Sequence, residues 1–63
     1  MQPHQQRVVD EKKELDDKLT KLMLFLTGKV YLSLAPEEQK RLQDQSKMMA
    51  QYSSILGARI AAF

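Results

Sequence analysis

The sequence predicts an all-α fold: an antiparallel two-helix hairpin with a short structured connection, assembling as a homo-oligomer. Three observations carry this. Two long stretches repeat apolar residues in alternating steps of three and four, the spacing that lines one face of a helix. Between them stand a Thr-Gly stop and a Pro-Glu-Glu start. The short apolar run that remains has no second strand to pair with. Helix one is expected over about residues 4–26, the connection over 27–35 and helix two over about 36–62, all in one domain spanning 1–63.

Pro3 suits a first helical turn because it has no N–H to leave unpaired there. From it, Val8, Lys12, Leu15, Leu19, Leu22 and Leu26 form a heptad seam. Val9, Met23 and Phe25 widen it toward the C-terminal end. Glu14–Lys18 and Asp17–Lys21 stand at i, i+4 in the favourable order on the charged face. Thr27-Gly28 should end the helix, with glycine in the left-handed conformation. Lys29 to Ala35 holds Val30, Tyr31, Leu32 and Leu34, too apolar for a bare loop, and reads as a one-turn helix or structured cover over the hairpin end.

Pro36 then occupies a first helical position, with Glu37 and Glu38 in the first turn, where the helix dipole favours negative charge. Ala35 is a poor N-cap, and Ser33 is the alternative. Helix two is expected to present Leu42, Gln45, Met49, Tyr52, Leu56, Arg59 and Phe63, with Met48, Ile55, Ile60 and Ala62 in a neighbouring row. Folded back antiparallel, Leu22 faces Leu42, Leu15 faces Met49 and Val8 faces Leu56. Gly57 costs about 1 kcal/mol against alanine inside a helix, which calls for a compensating close approach, as of a second backbone.

A chain of 63 residues without cysteine has neither disulfide nor thiolate metal site to brace it, and a core this small usually needs a brace. The remaining brace is another chain. Met23, Phe25, Met48, Ile55, Ile60 and Phe63 are more apolar positions than one partner helix covers, so they form the expected oligomer interface. MQPHQQRVVDEKKE has no apolar core of a signal peptide, and no apolar run approaches the ~20 residues of a membrane span.

Net charge is +2, with three basic against five acidic side chains in residues 1–17 and seven against three in residues 18–63. That is thinner than the dense basic stripe of a duplex nucleic-acid binder, so nucleic acid is the weakest partner class. Asp10, Glu14 and Asp17 share a helix face, but the lysines at 13, 18 and 21 neutralise it. There is no Glu-x-x-His pair, no nucleophile set around the single His4 and no glycine-rich phosphate loop. No enzyme activity, metal or cofactor is expected.

Lys12, Gln45 and Arg59 break the two seams. Their stems can cover apolar neighbours while the heads reach water, and Gln45 can fix helix register. Alternatively, polar heads converge where chains meet. In the antiparallel match Arg59 falls near Arg7, with Tyr52 one face away. Arginine offers forked donors to phosphate and a tyrosine ring stacks on a base. The candidate ligand-binding residues are therefore Arg7, Lys12, Lys47, Tyr52 and Arg59, and the ligand a nucleotide-like anion.

The blocks RVVDEKKELDDKLTKL (7–22), PEEQKRL (36–42) and YSSILGARIAAF (52–63) resemble a family of very short phage and prophage proteins named after a related crAssphage gene product. The resemblance implies a phage or prophage origin and action in the cytoplasm of the bacterial host. In size and plan the chain is also similar to phage sponges that sequester nucleotide signals of host immunity. The expected function is such a counter-defence binding protein, holding its ligand between subunits. The alternative is an inhibitor or adaptor that offers its apolar surface to a host protein.

Overall fold

A computed structural model describes residues 1–63. The chain is all-helical, with α1 at Pro3–Leu26, α2 at Lys29–Ser33 and α3 at Pro36–Ala61. The two long helices pack side by side in a rod of 46 × 14 × 13 Å. They run antiparallel. Ser53 of α3 bonds to both Lys12 and Asp16, while the next α3 turn, at Gly57, meets Lys12 alone. Position therefore rises along one helix as it falls along the other.

Pro3 opens α1, and the Gln5 side chain reaches back to accept a 2.8 Å hydrogen bond from the Gln2 backbone N–H. This satisfies one of the donors that a helix start leaves orphaned. All six seam positions of α1, Val8 through Leu26, are buried or half-buried. Of the two surface pairs read from spacing, Asp17–Lys21 closes at 3.0 Å and Glu14–Lys18 does not form a salt bridge. Neither matters much to stability, since exposed pairs contribute a few tenths of a kcal/mol.

The turn differs from the expected left-handed cap. Gly28 has φ −95°, and no residue in the chain has positive φ. Thr27 caps α1 in a right-handed conformation and donates its hydroxyl to the Leu24 carbonyl at 2.7 Å. The chain passes directly from this cap into α2, so the glycine's conformational freedom is not used. Ser33 caps nothing ahead. Its hydroxyl turns back to the Val30 carbonyl at 2.6 Å, and Ala35 stands at the N-cap of α3 without a side-chain bond.

Tyr31 makes α2 more than a connector. It is one of four buried residues in the chain. Gln39 of α3 donates to its carbonyl at 2.9 Å, and Gln43 donates to its phenolic oxygen. Ring burial and two bonds to α3 hold α2 across the end of the hairpin. Val30 and Leu32, on the other side of α2, remain exposed.

In α3 the inward face is turned from the expected one. From Leu42 onward, Leu42, Ser46, Met49, Ser53, Leu56, Gly57 and Ile60 are the buried or half-buried positions, whereas Gln45, Tyr52, Arg59 and Phe63 are exposed. The reason is that α3 carries two apolar faces from Met48 onward. The phase is decided by what meets Lys12, and a serine does that better than the bulky Tyr52.

Candidate functional site

The polar centre of the molecule is a three-residue lock between α1 and α3. Lys12 Nζ lies 2.7 Å from Asp16 Oδ2 and donates to Ser53 Oγ at 3.0 Å. Ser53 donates in turn to the other Asp16 oxygen. Lys12 and Asp16 meet because they are one helical turn apart, and Ser53 faces them from the buried side of α3. These are the only side-chain hydrogen bonds joining the two long helices. The Lys12 ammonium first, and the Ser53 hydroxyl second, hold the Asp16 carboxyl below its ordinary value of 3.8. Gly57 makes room for the lysine: a Cβ there would stand 3.3 Å from Lys12 Cε. The close approach that this glycine permits is thus a side chain of the same hairpin.

Beside the lock, Asp10, Lys13, Glu14, Asp16, Asp17 and Thr20 line a shallow open groove with no apolar residue in it. No three carboxylate or histidine side chains come together as a metal-binding group.

The five candidate ligand residues do not form one cluster within a chain. Lys12 is drawn inward, with two of its three donors engaged. Arg7, Lys47, Tyr52 and Arg59 are exposed, and none of the three cations among them has an ion-pair partner. Tyr52 and Arg59 share one face of α3, about 10 Å apart along its axis. Lys47 precedes Tyr52 by five residues, about 140° away around the helix. The register set by Lys12 and Ser53 puts Arg7 level with Arg59 to within about one residue.

Reading the sequence missed Ser53, and it named Tyr31 only as one of four apolar residues in the connection. A signal for Ser53 was present: a lysine in the seam of one helix favours a small polar partner in the facing seam, and the phase through Ser46 and Ser53 supplies one. Tyr31 had no such signal, because Val30 and Leu32 beside it are as apolar and stay exposed.

Of the candidate interface residues, Met23, Phe25, Met48, Ile55 and Phe63 are exposed, and Ile60 is half-buried. Leu24, Val30 and Leu32 add to the exposed apolar surface at the turn end. No helix is long and apolar enough to cross a membrane.

This geometry defines a small helical-hairpin protein whose two long helices are joined by one polar lock, with several cations unpaired and several apolar residues exposed. The chain belongs to the Sequestin family, whose model matches residues 2–62. The family name denotes sequestering, which points to a bound partner. No curated protein and no solved structure matches the chain.

Proposed function

We propose that this chain is a phage or prophage counter-defence protein that captures a small nucleotide-type immune signal between its subunits, without catalysis. Kinship with the short proteins named after a crAssphage gene product, and action in the bacterial cytoplasm, belong to the same reading. The observation that carries it is the pairing of Tyr52 with Arg59 on the outer face of α3. Both are exposed, and the Arg59 guanidinium has no partner in its own chain. A ring that stacks on a base and a fork that grips phosphate are what a nucleotide offers contacts to. Arg7 and Lys47 supply further unpaired positive charge, and Lys12 has one donor left.

Assembly follows from the apolar surplus. Met23, Phe25, Met48, Ile55 and Phe63 stay exposed in the single hairpin, and a chain this short gains a brace from covering them. Isothermal titration with a panel of cyclic and ADP-ribose-derived nucleotides tests the reading. Heat with one member, lost in Arg59→Ala, is expected; silence across the panel rejects it.

A second reading rests on the patch at the turn end. Met23, Leu24, Phe25, Val30 and Leu32 are all exposed there, and together they suit an inhibitor or adaptor that docks on a host protein. Pull-down from bacterial lysate separates the two, since a nucleotide trap needs no protein partner.

A further inference from the structure

Helix α3 carries two faces able to pack on α1, and the chain uses the less apolar one. Leu42, Met49 and Leu56 belong to both. The face in use adds Ser46, Ser53, Gly57 and Ile60. The unused face adds Gln45, Tyr52, Arg59 and Phe63, all exposed. With about 100° between successive residues, the two sets lie about 60° apart around the helix. A roll of α3 by that angle about its own axis keeps the shared side chains inward. It trades Ile60 for Phe63 and brings Tyr52 in for two serines and a glycine.

On burial alone the unused face is the better one, since aromatic side chains carry the largest apolar areas. What excludes it is the charge in the facing seam. Lys12 is the one ionisable residue among the six seam positions of α1. Its ammonium and the Asp16 carboxylate converge on Ser53. Its stem passes Gly57, where a Cβ would stand 3.3 Å from Lys12 Cε. After a roll, that level of the seam holds the Tyr52 ring and the stem loses its glycine gap. A single polar position in an apolar seam fixes how helices pair, at a cost in stability.

We infer that the Lys12–Asp16–Ser53 lock selects between two packings of this hairpin, and that without it α3 rolls about 60° and turns Tyr52 and Phe63 inward. At the other end of α3, Gln39 and Gln43 donate to Tyr31 and oppose the roll. Gln43 is exposed and Gln39 half-buried, so water replaces these bonds at small net cost. The roll draws both glutamines off Tyr31. Tyr31 is therefore freed as Tyr52 is covered, and the two tyrosines report the packing in opposite directions. The roll also takes Tyr52 and Arg59 off the outer face. What that does to a ligand rests on the sequestering reading above; the two packings do not.

The test releases the lock with Lys12→Leu/Asp16→Ala, which leaves the Ser53 hydroxyl facing an apolar seam without a partner. Cysteine pairs report the packing in a chain that has no cysteine of its own. Leu19 stands one heptad after Lys12, level with Ser46 one heptad before Ser53. In the locked chain L19C/S46C should close as an intramolecular disulfide and L19C/Q45C should not. In the released chain the preference reverses, the ratio of the second disulfide to the first rising at least about tenfold. Nitration by tetranitromethane should slow at Tyr52 and quicken at Tyr31. Adding Tyr52→Ser to the released chain removes the main gain of the second face and should restore the disulfide between positions 19 and 46. Circular dichroism accompanies each variant. A released chain that keeps the locked preference overturns the inference. So does one that loses its helicity, because the second face then cannot hold the hairpin. A released chain that rolls yet binds a nucleotide as wild type does upholds the two packings and removes only Tyr52 and Arg59 from the ligand reading.

Discussion

Lys12 of α1 donates a 3.0 Å hydrogen bond to Ser53 of α3, the longest-range polar link in the molecule. It fixes both the register and the rotation of the second helix. With Ser53 pointing at the lysine, Tyr52 and Arg59 are turned outward, where they are open to a ligand or to another chain. Ser53→Ala removes the hydroxyl that both Lys12 and Asp16 touch. Those two still pair with each other and both reach water, so the cost is that of an ordinary hydrogen bond, about 1 kcal/mol. For a chain this size that lowers Tm by roughly 4–8 °C. Thermal melts followed by circular dichroism measure it, and an unchanged Tm would mean the lock contributes nothing.

The same lock makes stability depend on pH in one direction. Asp16 is held below its ordinary 3.8 by Lys12 and then Ser53, so its carboxyl is more acidic in the folded than in the unfolded chain. Its contribution is fully present above the unfolded value and is lost as pH falls through the folded one. Tm should therefore drop more steeply below about pH 4 in wild type than in Asp16→Asn, which has no proton to gain there. Parallel Tm–pH curves for the two proteins would contradict this.

Gly57 offers a change of the opposite sign. Alanine in mid-helix gains about 1 kcal/mol of helix propensity. Its Cβ would press on Lys12 Cε at 3.3 Å, but that atom is near the end of a flexible side chain that can give by a few tenths of an ångström. Gly57→Ala should raise Tm by a few degrees. A lower Tm would show that the lysine has nowhere to go and that the lock tolerates no displacement.

How far the sequence carried the fold differs between the helices, and the lysine explains why. In α1 the apolar residues fall on one narrow stripe apart from Val9 and the Met23–Phe25 end, so the steps from Val8 to Leu26 admit one inward face. In α3 the residues from Met48 onward are apolar on two faces, and periodicity alone cannot choose between the phase through Gln45, Tyr52 and Arg59 and the phase through Ser46, Ser53 and Ile60. Counting hydrophobicity favours tyrosine over serine inside. The structure favours serine, because the facing position is charged and needs a small hydroxyl. The same ambiguity placed Tyr52 and Arg59 on a seam where they do not lie.

Ile55 and Leu56 are neighbours with opposite environments: Leu56 is wholly buried and Ile55 is 59% exposed. Leu56→Ala leaves a cavity and should cost about 2–5 kcal/mol, a large fraction of what so small a domain has. Much of the helical circular dichroism should be lost at room temperature. Ile55→Ser should leave the helicity of a dilute sample nearly unchanged, within about 0.5 kcal/mol. Equal loss in both would mean that the exposed side of α3 is already covered by a partner at the concentration used.

Ligand titration separates residues that bind from residues that hold the hairpin. Arg59 is exposed and has no partner in its own chain, so Arg59→Ala should leave Tm of the hairpin within about 0.5 kcal/mol of wild type. If its guanidinium grips a phosphate, a charge-assisted bond of about 1.5–3 kcal/mol is lost, and affinity falls at least about tenfold. Lys12 is different, because its ammonium already serves Asp16 and Ser53. Lys12→Met should lower Tm whether or not a nucleotide binds there, and any loss of affinity must be read against the loss of fold. Lys29→Ala, exposed on α2, controls for net charge. Calorimetry and melting on the same three samples decide the assignment. Affinity lost with fold intact in Arg59→Ala, and kept in Lys29→Ala, marks a contact; equal losses in both would reduce the effect to bulk charge.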